Sequence, residues 1–206
     1  PEYGEQLDPL LCDKRDRLFG ITNRIDTAKF DPSTDRAIIS TYDATTLEQR
    51  PANKAQLQRN AGLLQDEHAP LIGMVSRLSS IKGFDLLAEL IPGLMSTTPV
   101  QLVIQGVGDP VYHELFLQYR KQYAGRIAFQ ATFSESMERR IYAGSDIFLM
   151  PSLVEPCGLG QMIAMRYGAV PVVRATGGLA DTVQDYDPAT NTGTGFTFSA
   201  YDKMAL

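Results

Sequence analysis

The stretch VSRLSSIKG (75–83) sets Arg77 and Lys82 in one short segment between an apolar run and a helix-like pattern. Two flexible cations beside a helix start could hold a diphosphate, because the free N–H groups and partial positive charge of the helix end act with them. The same spacing fits an ordinary solvated loop. A second stretch, MPSLVEPCGLGQ (150–161), places Glu155 between a buried run and another helix-like pattern. A carboxylate there can be a helix-dipole acid, worth about 0.3–1 kcal/mol. It can also accept from sugar hydroxyls, with the N–H groups of Gly158, Leu159 and Gly160 facing phosphates of the same ligand. ATGGLADT (175–182) repeats the arrangement, with Gly177 and Gly178 ahead of a helix. Glycine there lets backbone come close to a ligand.

Other segments carry less. QGVGDP (105–110) has G-x-G but no third glycine, and Pro110 interrupts it, so a tight strand-to-helix turn is favoured over a dinucleotide fingerprint. Phe133 could stack on a base or belong to the core. His68 and His113 fit no metal or triad spacing and are read as surface residues. Met162 and Met165 stand at helical spacing and are read as core packing. No HExxH, CxxC or G-x-S-x-G occurs, so zinc hydrolysis and serine-esterase chemistry have no support.

These segments follow apolar runs of strand length. LIGMV (71–75), VQLVIQG (100–106), RIAFQ (126–130), DIFLM (146–150), VPVVRAT (170–176) and GFTF (195–198) alternate with helix-length patterns at 83–95, 111–124, 134–144, 158–168 and 177–183. Near-continuous apolar strands separated by helices predict a parallel sheet covered on both faces. The fold class is therefore α/β, a Rossmann-like doubly wound sheet. In such sheets ligands bind beyond the carboxyl ends of the strands, where Arg77, Lys82, Phe133, Glu155 and the two glycines fall. Residues 1–70 read as a connection with peripheral elements, including a helix at 53–63 stopped by Gly62, and 71–206 as the ligand-binding domain.

The chain has 206 residues, is 44% hydrophobic and 21% charged, and carries a net charge of −5. That balance suits a globular protein and argues against a general nucleic-acid surface. No apolar run is long enough for a transmembrane helix. Cys12 and Cys157 are read as free thiols. The acidic start, PEYGEQLDPL, has no signal-like region and no initiator Met, so the chain is expected to be part of something longer.

Taken together, VSRLSSIKGFDLL, GVGDP, YAGSDIFLMPSLVEPCGLGQMIAMRYG and TGGLADTV resemble the C-terminal domain of glycogen and starch synthases, over about residues 15–200. These are retaining glucosyltransferases with two facing Rossmann-like domains, the GT-B architecture. QMIAMRYGAVPVVRATGGL is most similar to the plant and cyanobacterial branch. The resemblance implies that Arg77 and Lys82 bind the donor diphosphate and that Glu155 contacts the transferred glucose. It also implies that Cys157, Gly158 and Leu159 lie against the donor, that Phe133 takes the place of a Tyr stacking on adenine, and that Thr176, Gly177 and Gly178 form the loop near the donor. Asn23 matches an Asn at the interdomain cleft.

The implied donor is ADP-glucose, with UDP-glucose left open, and the implied acceptor is an α-1,4-glucan. No metal or other cofactor is expected, since the cations stabilise the leaving diphosphate. The partner would be an N-terminal GT-B domain that this sequence does not contain, so the chain alone is expected to bind ADP weakly and transfer nothing. The compartment would be the cytoplasm of a bacterium or the plastid of a plant. Arg24 and Gly160 depart from the family pattern. Ile163 stands in the place of the second Glu that other GT-B enzymes carry, a Glu that these synthases also lack. Weighed against this reading are another GT-B glycosyltransferase, a non-catalytic glucan-binding module and an NAD-binding domain.

Overall fold

The computed structural model describes residues 6–206; the first part of the acidic start lies outside them. Helix α1 (Asp8–Asp13) is followed by largely irregular chain up to α2 (Arg50–Ala61). From there β1 (Leu71–Val75), α3 (Phe84–Thr97), β2 (Gln101–Gln105), α4 (Pro110–Gln122), β3 (Ile127–Gln130) and α5 (Glu135–Gly144) alternate. The run continues with β4 (Ile147–Met150), α6 (Gly160–Arg166), β5 (Val170–Arg174), α7 (Gly177–Thr182) and β6 (Phe196–Phe198). The six strands form one sheet in the order β3-β2-β1-β4-β5-β6. Every pairing is parallel, with Leu71 opposite Gln101 and Gly73 opposite Phe148.

Alternation along buried strands divides the core between the two faces of the sheet. Leu71, Val103 and Phe148 join Leu57 of α2, Ile141 and Tyr142 of α5, and Tyr167 in one cluster. Met74, Leu102, Ile104 and Leu149 join Phe84, Leu87 and Ile91 of α3 and Phe116 of α4 in the other. Helix α3 runs through Pro92, a residue that costs a helix interior about 3 kcal/mol. Phe84, Leu87, Ile91 and Met95 lie on one face of that helix and are all at most 5% exposed. Burial of about 1.5–3 kcal/mol per side chain outweighs the proline.

The segment before residue 71 shares this core. Ile38, Tyr42, Leu57 and Leu63 are all buried in the first cluster, and the Tyr42 hydroxyl donates to the Tyr167 carbonyl at 2.7 Å. Residue 70 thus marks a change in sequence pattern and no break in packing. Helix α2 ends where the glycine at 62 takes a left-handed conformation, which is the expected stop. The expected helix at 158–168 starts later, at Gly160, because Gly158 has φ 73 and cannot be its first turn.

Candidate functional site

The chain moves outward from β1 to β2 and β3, then returns to lay β4 on the other side of β1. The helices after β1 and β4 therefore lie on opposite faces of the sheet, which sets the ligand crevice of such folds at the carboxyl ends of these two strands. The loop after β1 leans on the loop after β2: Leu78 N–H donates to the Val107 carbonyl and Asp109 N–H to the Leu78 carbonyl, both at 2.9 Å. Cβ atoms on Gly106 and Gly108 would lie 2.2 and 2.3 Å from the Ser76 and Leu78 carbonyls. The G-x-G is thus filled by the neighbouring loop, with no room for a pyrophosphate against it. Asp109 caps α4 by accepting from Val111 N–H at 2.9 Å, with Pro110 in the first turn, where its missing N–H costs nothing.

Past Ser79 a single 3-10 turn (Ser80–Lys82) ends at Gly83, whose φ is 79. A Cβ on Gly83 would meet the Pro151 carbonyl oxygen at 2.2 Å, so only glycine lets the two loops cross here. Leu153 N–H donates to the Ile81 carbonyl at 2.9 Å across the same gap. This crossing brings Lys82 Nζ to 2.6 Å from Glu155 Oε2, the oxygen that also accepts from Ser152 Oγ at 3.2 Å. Glu155 is 7% exposed. Among the described residues nothing donates to its other oxygen, and Lys82 has no second hydrogen-bond partner. Arg77 is exposed in the same loop and makes no ion pair or hydrogen bond among the described residues.

The loop after β4 is tied in turn to α7. Gly178 N–H donates to the Glu155 carbonyl at 3.1 Å. Cβ atoms on Gly177 and Gly178 would lie 2.1 Å from the Glu155 and Cys157 carbonyl oxygens, so the glycine pair lets the segment pass flush against the one bearing Glu155. Gln161, wholly buried, donates from Nε2 to the Cys157 and Gly158 carbonyls at 3.2 and 3.1 Å and to Thr182 Oγ1 at 2.9 Å. The N–H groups of Gly158 and Leu159 donate to no protein acceptor among the described residues.

Lys82, Glu155, Cys157, Gly158, Leu159, Gly177 and Gly178 thus share one set of stapled loops, and Thr176 is the residue that precedes α7. Phe133 lies past the end of β3, the outer strand on the same edge, and is 60% exposed, so it is not core. Asn23 is different: its stretch is exposed and irregular, and its side chain bonds to none of these loops. Arg24 is likewise exposed. Gly160 faces Phe148, whose ring a Cβ would meet at 3.0 Å, so a larger residue here needs that ring to give way. Ile163 is buried in the first core cluster. His68 is exposed beside Glu67, whereas His113 is half-buried with its ring edge-on to Phe129 at 5.8 Å.

Sequence reading missed Ser152, Gln161, Arg174 and Tyr201. Arg174 Nε donates to the Ser152 carbonyl at 2.9 Å and its terminal nitrogens to the Leu153 and Ser199 carbonyls. The Tyr201 hydroxyl donates to Asp85 Oδ1 at 2.6 Å and lies 2.9 Å from the Ser80 carbonyl. Burial first, then the Asp85 carboxylate, pushes its phenol pKa up, so it remains a donor. A charged residue closing a buried strand just ahead of two glycines was a usable signal for Arg174; Tyr201 had none. A hollow of about 840 Å³ lies at the opposite end of the strands, lined by residues including Arg50, Lys54, Glu67 and Asp146. Its cations are already committed to Asp146 and to backbone carbonyls, so it offers less to an anion than the crevice does.

Residues 57–206 match the family model described as "Glycosyl transferases group 1". The chain is 50% identical over its full length to glycogen synthase of Gloeobacter violaceus, covering 45% of that protein. It is 50% identical to glycogen synthase of Moorella thermoacetica, again over its whole length and 42% of the relative. Among solved structures, the catalytic domain of starch synthase IV from Arabidopsis thaliana, bound to ADP and acarbose, superposes with a TM-score of 0.91 at 34% identity. That match covers 99% of this chain and 43% of the other. The chain therefore spans a little under half the length of the curated relatives it matches.

Proposed function

The chain belongs to the group 1 glycosyl transferases, and from that premise we propose that it is the nucleotide-sugar-binding C-terminal domain of a retaining glucosyltransferase. The full protein would transfer glucose from ADP-glucose to the end of an α-1,4-glucan, as a glycogen or starch synthase. The observation that carries this reading is the meeting of Lys82 and Glu155 at 2.6 Å across the point where strand order reverses, with Arg77 in the same loop as Lys82 and unpaired among the described residues.

Glucosyl transfer breaks the bond between the anomeric carbon and the β-phosphate oxygen, and forms one to an acceptor hydroxyl. Negative charge grows on the departing diphosphate. Preplaced cations stabilise that charge, and losing one such donor typically costs about 10²–10³ in rate. In this reading Arg77 and Lys82 hold the diphosphate, together with the unpaired N–H groups of Gly158 and Leu159. Glu155 holds glucose hydroxyls with the carboxylate oxygen that no protein group occupies. Phe133, exposed on the same edge, stacks on the adenine. The cations take the place of a metal. ADP bound to the starch synthase IV structure supports the choice of nucleotide. Asn23 and the acceptor contacts belong to the closed, two-domain protein, which is placed in a bacterial cytoplasm or a plastid.

Calorimetric titration of this chain with ADP and ADP-glucose tests the reading. Both are expected to bind, ADP-glucose more tightly through Glu155. A folded chain that takes up neither would refute it.

A further inference from the structure

We infer that Arg174 is a positioning residue for the donor site and that, with Tyr201, it makes the segment after β6 a clasp on the two loops bearing Glu155 and Lys82. This deepens the proposed function and rests on it for the identity of the ligand. The contacts themselves stand apart from that reading. Arg174 closes β5, and its planar fork reaches over the loop after β4. Nε donates to the Ser152 carbonyl at 2.9 Å and one terminal nitrogen to the Leu153 carbonyl, while the other donates to the Ser199 carbonyl at 3.1 Å. One guanidinium therefore satisfies two consecutive carbonyls just ahead of Glu155 and a third in the segment after β6. Ser152 is itself bonded to the Glu155 carboxylate through Oγ at 3.2 Å, so fixing its backbone fixes one of the two groups that orient that carboxylate.

The other arm of the clasp is Tyr201. The Arg174 guanidinium lies 5.6 Å from the centre of its ring. Its hydroxyl sits 2.9 Å from the Ser80 carbonyl, two residues before Lys82, and 2.6 Å from Asp85 in the first turn of α3. Ser199, Tyr201 and Arg174 thus link the loop after β1 to the loop after β4. Neither Arg174 nor Tyr201 is bonded to Lys82 or Glu155, so their effect on the site passes through backbone. Lysine cannot replace the arginine, because an ammonium lacks the fixed fork that spans adjacent carbonyls.

Amide hydrogen exchange on the full chain, with Arg174→Ala, Arg174→Lys and Tyr201→Phe, decides the clasp without any ligand. The reporters are Leu153 N–H, held by the Ile81 carbonyl, and Gly178 N–H, held by the Glu155 carbonyl. Both are expected to lose protection in Arg174→Ala and Arg174→Lys, while Leu102 N–H in β2 keeps its protection. Tyr201→Phe is expected to loosen Leu153 N–H alone. Unchanged reporters, or loss at Leu102 in equal measure, would overturn the inference, the second outcome marking a merely structural role. A ligand arm adds the consequence: ADP-glucose affinity is expected to fall about tenfold in Arg174→Lys, as for loss of a charged hydrogen bond, and ADP affinity by less. Equal losses for both ligands would also overturn it. If the unaltered chain binds neither ligand, the functional reading fails and the exchange result still decides the clasp.

Discussion

Two lysine–carboxylate pairs flank β4: Lys54–Asp146 at 2.7 Å before the strand and Lys82–Glu155 at 2.6 Å after it. The first is shared more widely within the protein, with Arg50 also 3.9 Å from Asp146 Oδ1. Asp146 Oδ2 also accepts from Leu71 N–H at 2.8 Å, and Lys54 also donates to the Glu67 carbonyl at 2.9 Å. This pair joins α2 to the starts of β1 and β4 and leaves little for a ligand. Among the described residues, the second pair has one oxygen of Glu155 with neither a hydrogen bond nor an ion pair, a lysine with no other acceptor, and an unpaired arginine, Arg77, in the same loop as Lys82. Burying charge is costly unless it is paired and hydrogen-bonded. The more protein groups share such a charge, the less of it is left for a ligand. Nearly the same distance between the same chemical groups thus means different things at the two ends of one strand.

The largest expected effect tests the more buried carboxylate: Lys82→Ala leaves Glu155, 7% exposed, with Ser152 as the one partner of its carboxylate among the described residues and should lower the unfolding free energy by about 3–5 kcal/mol. Asp146→Ala should lower the unfolding free energy by about 1.5–3 kcal/mol, the range for losing hydrogen bonds to a charged group. Urea denaturation measures both. Lys82→Ala should also weaken ADP about tenfold or more, as expected for a lost charge-assisted bond to phosphate. Equal stability losses in the two variants would erase the distinction, and undiminished ADP affinity would remove Lys82 from the site.

The smallest effect lies outside both pairs, in surface turns. Asp31 and Asp187 accept from their turn backbones, at Ser33 and Ala189, and Asp43 first from the Thr45 hydroxyl; all three carboxyls are held below the ordinary 3.8. A lowered pKa means stability that is present above the unfolded value and lost as pH falls through the folded one. Glu138 goes the other way, raised above 4.5 mainly by burial, so its ionisation opposes folding as pH rises. Carbon-detected NMR titration should place the three aspartates below 3.8 and Glu138 above 4.5. A reversed order would show that local capping and burial do not rank as described.

The sheet was legible because its strands are buried on both faces and read as unbroken apolar runs. IFLM and LIGMV need no context to be strands. The helix starting at Gly160 was placed two residues early because an apolar pattern cannot show that Gly158 is left-handed. Ile38 and Tyr42 were not legible as core. They sit in irregular chain without periodicity, and their burial depends on helices far along the sequence. Arg77, Lys82 and Glu155 stood out by residue type and by their place after strands.

The order of residues alone determined that this is a parallel α/β protein, which loops end its strands, and which side chains those loops could offer to a phosphorylated sugar. It did so because burial and period are local properties of a chain. Only the tertiary structure decided that β4 lies beside β1, so that Lys82 meets Glu155, and that Arg174 and Tyr201 hold the loops that carry them. Those contacts join residues separated by 73, 22 and 121 positions. Separations of that size carry no periodic trace in a sequence; the packing of strands and the crossing of glycine-bearing loops fix them.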